Sequence, residues 1–144
     1  MKSISILIFV VFVLVTISVQ AATLDSREAA RKLTDQVMAK VASGDFNAGL
    51  NLMKPYLIIP ESEFNVMLEQ TKLQLPAIQG RFGKTVGSEF ISEKMVGKSL
   101  MKIVQIQKFE KHIMRWRFIF YNPGGGWVLN TFNFDDKIHF LFEE

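Results

Sequence analysis

At about Lys84 the spacing of apolar residues changes from that of helices to that of strands, and any fold for this chain must accommodate the change. Before it, Ala30, Leu33, Val37 and Val41 recur at three- and four-residue intervals behind Asp25 and Ser26, either of which suits a helix cap. Gly44-Asp45-Phe46 should end this first helix. A short second helix is expected from Asn47 to about Met53, stopped by Pro55. Pro60-Glu61-Ser62-Glu63 then opens a third, with proline and acids where a helix start favours them. Phe64, Met67, Leu68 and Leu75 share one side of it, and Pro76 is expected to kink or shorten it.

After Lys84 the pattern predicts five strands: Thr85 to Val96, Ser99 to Phe109, His112 to Tyr121, Trp127 to Phe134 and Lys137 to Phe142. Their connections are short and rich in turn residues: Gly97, Glu110-Lys111, Asn122-Pro123-Gly124-Gly125-Gly126 and Asp135-Asp136. Such short connections join antiparallel neighbours, so a meander is implied. The third strand alternates most cleanly, with Met114, Trp116, Phe118 and Phe120 on one face and Arg115, Arg117, Ile119 and Tyr121 on the other. Helices first and an antiparallel sheet afterwards define an α+β domain whose helices cover the aromatic face.

Ahead of this domain stands a leader. Met1-Lys2-Ser3 is followed by an apolar run from Ile4 to Val19, and Val19 and Ala21 are small enough for the cleavage positions of a secretory signal peptide. Cleavage is therefore expected after Ala21, dividing the chain into a signal peptide (1–21) and one soluble domain (22–144). The run is short for a spanning helix and no basic stop-transfer cluster follows it, so no membrane span is expected to remain. The destination is periplasmic or secreted. An exported chain without cysteine carries no disulfide, so its stability must come from packing, for which thirteen Phe, two Trp and two Tyr are available. Removing Lys2 lowers the formal net charge from +3 to +2, which argues for no charged partner by itself. Export also separates the domain from nucleic acid.

The order of elements resembles small secreted bacterial members of the nuclear transport factor 2-like, or cystatin-like, cone superfamily. Residues 29–57 (AARKLTDQVMAKVASGDFNAGLNLMKPYL) are similar to the first helix, G-D-F break and second helix of such domains. Residues 121–135 (YNPGGGWVLNTFNFD) are similar to their final hairpin. The resemblance implies a strongly bent sheet whose concave face holds the helices and leaves a cone-shaped pocket. Members include isomerases and dehydratases as well as non-catalytic binding domains, so the fold selects no function. The Q-x-V-x-G hairpin of inhibitory cystatins is absent from the sequence.

Most chemistry-bearing residues have simple structural explanations. His112 and His139 are far apart and lack the ligand spacing of a metal site. Asp135-Asp136 suits a turn better than a carboxylate pair. No G-x-S-x-G elbow accompanies Ser88, Ser92 or Ser99, and Gly124 to Gly126 lacks the features of a phosphate or dinucleotide loop, so no cofactor is expected.

Two features go further. Trp116, Phe118, Phe120, Trp127, Phe132 and Tyr56 are candidates to line an apolar pocket for a small molecule. Lys94, Lys98, Lys102, Lys108, Lys111, Arg115 and Arg117 face the single acid Glu110 within one stretch; on one sheet face they would suit an anionic partner, or simply guard an edge strand. The expected role is non-catalytic binding of an apolar or anionic small molecule or a protein partner, with homodimerisation through the sheet as one form. The alternatives are a pocket enzyme of isomerase, dehydratase or hydrolase type using Tyr56, Tyr121 or an Asp, and a surface-associated structural module using the basic face.

Overall fold

A computed structural model describes residues 20–143 of the protein. The body of the proposed leader, residues 1–19, lies outside that range. From Ala22 onward the chain is tied down: the Ala22 amide donates to the Pro55 carbonyl at 2.8 Å, and Leu24 bridges Trp127 antiparallel.

Helix α1 spans Arg27–Ala42. Ser26 caps it, its Oγ accepting from the Ala29 amide at 3.0 Å, and Glu28 and Lys40 complement the helix dipole at opposite ends. Gly44, at φ +88°, reverses the chain, and Asp45 caps α2 (Phe46–Met53) by accepting from the Ala48 amide at 3.0 Å. The two helices approach closely at Gly49, where a Cβ would sit 2.8 Å from Val41 Cγ2.

Helix α3, Glu61–Phe82, continues past Pro76 and is longer than the sequence suggested. Proline deprives the Lys72 carbonyl of its helical partner. Both residues face solvent, where water can satisfy that carbonyl, so the helix continues.

The remaining elements form a four-stranded antiparallel sheet in the order β1-β2-β3-β4: Thr85–Val96, Leu100–Phe109, Ile113–Tyr121 and Val128–Asp135. The helices pack on the face that carries Met114, Trp116, Phe118 and Phe120, and Phe46 of α2 meets the Trp116 ring at 5.3 Å. Cross-strand pairing sets Phe118 between Ile103 and Phe132, and Phe120 between Met101 and Leu129. Each of these three β3 aromatics is fully buried. Burying large aromatic side chains is worth about 1.5–3 kcal/mol apiece, which makes this stripe the main adhesive between the layers.

The fifth strand expected over Lys137 to Phe142 does not form. Asp135 Oδ1 accepts from the Lys137 amide at 3.1 Å, and Ile138–Glu143 coils into a short 3₁₀ helix. An Asp that bonds the amide two residues ahead turns the chain sharply, so the alternation of Ile138, Phe140 and Phe142 never reaches the edge of β4. The three residues are exposed, and the Phe140 ring instead sits 5.1 Å from the Arg115 guanidinium on the opposite face of the sheet. His139, expected on a strand, is therefore an exposed helix residue.

Candidate functional site

Helix α3 is anchored at its two ends and loosely seated between them. Phe64, Leu68 and Thr71 are buried in its first half. Phe82 is buried at its end, edge-on to Phe109 at 5.7 Å and tilted on His112 at 4.6 Å. Between these anchors Leu75 and Ile78 are only half-buried. The consequence is a cleft of about 140 Å³ between α3, the α1–α2 turn and the end of β2.

Val41, Phe46, Leu75, Ile78 and Phe109 give the cleft its apolar wall, and Gln79, Thr85 and Gln107 supply neutral hydrogen-bonding groups. The Thr85 hydroxyl donates to the Lys108 carbonyl at 3.2 Å, and Trp116 Nε1 donates to Gln107 Oε1 at 3.3 Å. On the far side of Ile78 a second cavity of about 260 Å³ is bounded by Ala77, Phe82, Met114 and Phe134, with Arg81 and Asp136 paired at 3.6 Å among its lining residues. A groove of about 660 Å³ where Ala21, Pro55, Ile59 and Phe64 meet adjoins Gln20, the first described residue.

The aromatic residues proposed as pocket lining are placed elsewhere. Trp116, Phe118 and Phe120 have no exposed surface and Trp127 is buried. Phe132 is half-buried and stacks parallel to Trp116 at 6.5 Å; Tyr56, also half-buried, packs against the core. None of the six borders the cleft under α3. Tyr121 lies at the other end of β3, paired with Leu100 and Val128.

The register of β1, β2 and β3 does gather basic residues. Lys94 pairs with Lys102, and Val104 and Ile106 pair with Arg117 and Arg115, so five cationic positions, Lys94, Lys102, Lys108, Arg115 and Arg117, share the face away from the helices. Lys98 sits in the β1–β2 turn instead. Acids interrupt this patch. Glu89 pairs with Lys108 at 3.4 Å, and Asp135 joins both Arg115 (2.9 Å) and Arg117 (2.8 Å). The Arg115 side chain is only 3% exposed, so it is a buried structural ion and no part of a surface. Burial pushes the Asp135 carboxyl up, but the Arg115 hydrogen bond, the Lys137 amide and the charges of Arg115 and Arg117 outweigh it and leave the group below the usual carboxylate range.

His112 Nε2 lies 3.3 Å from the Asp136 carbonyl. Among the described residues no group of three or more His, Asp or Glu side chains could hold a metal ion, and no helix is long and apolar enough to cross a membrane.

Sequence reasoning missed Ile78, Phe109 and Gln107 as cleft residues. For Gln107 a signal exists: with Gln105 it occupies the core-facing parity of β2, between Ile103 and Phe109, where an apolar residue is the default. Gln105 is explained by α1, its Nε2 donating to Thr34 Oγ1 and Asp35 Oδ1, each at 2.8 Å.

No protein-family model, curated protein or solved structure matches the chain.

Proposed function

We propose that this is an exported, non-catalytic binding domain of the cone-like α+β class, and that the cleft beneath α3 takes a small, uncharged, largely apolar molecule. The single observation that carries the reading is the composition of the cleft wall: five apolar side chains with neutral amide and hydroxyl groups among them. A pocket enzyme of isomerase or dehydratase type needs a proton donor or acceptor placed in that wall. Amides and a hydroxyl suit recognition better than proton transfer.

Size narrows the ligand. An apolar cavity of roughly 150 Å³ accommodates benzene, and the cleft is of that order. The order of helices and meander strands supports the cone-superfamily resemblance. Export is supported by the apolar leader, and among the described residues the first backbone tie to the domain is at Ala22, the residue after the expected cut.

The test is thermal unfolding of the mature chain with benzene and toluene, and of an Ile78→Trp variant that fills the cleft. A ligand at about 100 times its Kd adds about 2.7 kcal/mol, which raises Tm by several degrees for a domain of this size. The variant should lose this response. An unchanged Tm with both ligands, or the same rise in Ile78→Trp, removes the proposed site.

A further inference from the structure

One amide in the cleft wall has a fixed orientation and unused capacity. An indole N–H can only donate. With Trp116 Nε1 lying 3.3 Å from the Gln107 side-chain oxygen, the amide oxygen must face the indole and Nε2 must point the other way. Gln107 is 3% exposed and borders the cleft. Among the described residues no acceptor meets its Nε2. Its strand neighbour Gln105 shows the usual arrangement, with Nε2 held by two oxygens of α1. Gln107 Nε2 is not one of the enclosed unpartnered atoms, which among the described residues are Ser92 Oγ and Arg117 Nε; it opens onto the cleft, where a ligand acceptor can take the place of water.

Resting on the reading of the cleft as a binding site, we infer that Gln107 Nε2 receives a hydrogen-bond acceptor of the ligand. The cleft then selects single-ring molecules bearing a compact neutral acceptor, such as a nitrile or carbonyl, over plain hydrocarbons. Neutral is the chemistry that fits, since among the described residues no cationic side chain borders the cleft to balance a desolvated anion.

Benzonitrile and phenylacetylene are nearly isosteric and differ in the acceptor. Titrated into the mature chain by NMR, benzonitrile should bind about three- to tenfold more tightly, the value of one net hydrogen bond. Gln107→Leu should abolish or reverse that preference while still binding phenylacetylene. Equal affinities in the native chain, or a preference that survives Gln107→Leu, overturns the inference and leaves the cleft reading intact. Binding of neither compound overturns the cleft reading itself. Should Gln107→Leu fail to fold, the native Gln107 side-chain amide protons decide: they should move downfield with benzonitrile and not with phenylacetylene. Resonances unmoved while both compounds bind refute the assignment.

Discussion

Asp135→Ala should be among the most damaging single substitutions outside the aromatic core, although Asp135 lies at the end of an edge strand. Its carboxylate accepts from Arg115 Nε (3.2 Å) and Nη2 (2.9 Å), from Arg117 Nη2 (2.8 Å) and from the Lys137 amide (3.1 Å). Deleting it takes the Asp135 contacts from one guanidinium that is 3% exposed and another that is 29% exposed. Removing one partner of a buried pair costs about 3–5 kcal/mol. The low end applies because the Asp135 side chain is itself 21% exposed and water can approach the gap. A loss of about 3 kcal/mol is a large share of a typical 5–15 kcal/mol total. Replacing the buried pair together, as Arg115→Met with Asp135→Leu, should cost less, because no Arg115 guanidinium is then left to lose the Asp135 contacts.

Acid should reproduce part of the effect. The Asp135 carboxyl is held below its ordinary value, so its contribution is present above about pH 4 and is lost as pH falls toward the folded-state value. Urea unfolding followed by the fluorescence of buried Trp116 and Trp127 measures both effects. A loss under about 1 kcal/mol for Asp135→Ala, or the same stability slope below pH 4 in that variant as in the native chain, would refute the account of this cluster.

Two further outcomes are expected. Gly126 sits at φ +126°, where a Cβ would come within 2.8 Å of Thr23 Cβ and 3.0 Å of the Leu24 carbonyl, so Gly126→Ala should cost about 1–3 kcal/mol and raise amide exchange at Leu24 and Trp127. Unaltered exchange there would show that the N-terminal bridge does not depend on this glycine. Expressed with its leader in a bacterial host, the chain should be recovered outside the cytoplasm with Ala22 as its first residue; amino-terminal sequencing that finds Met1 on the exported protein would remove the signal-peptide reading.

Much of the architecture was legible because strand parity is a strict signal. Met114, Trp116, Phe118 and Phe120 alternate with Arg115, Arg117, Ile119 and Tyr121, and that alone identified the face the helices cover. Ser26 was one of two residues that suited the first helix cap for an equally local reason, whereas Asp45, read as part of that helix's end, caps the second helix. Two boundaries depended on the environment instead. Pro76 is tolerated because its side of α3 faces water, and the segment after Asp136 coils because Asp135 serves two arginines and a turn together. The same local pattern, with different surroundings, would give a shorter helix and a fifth strand.

The candidate site was far less legible. Large aromatics attract attention as pocket lining, yet packing density drives them into the centre of the core, where Trp116 stacks on Phe134 at 4.6 Å. The cleft arises from what α3 fails to bury, a property of two anchored helix ends and not of any motif. Only the misplaced polarity of Gln107 hinted at it.

The most direct measurement of the central claim is a crystal of the mature chain soaked in bromobenzene, with anomalous diffraction locating the bromine. The account expects a peak between Phe46, Ile78 and Phe109, beneath α3. A fully soaked crystal whose cleft is empty, or closed by Leu75 and Ile78 packed directly onto the sheet, would contradict it.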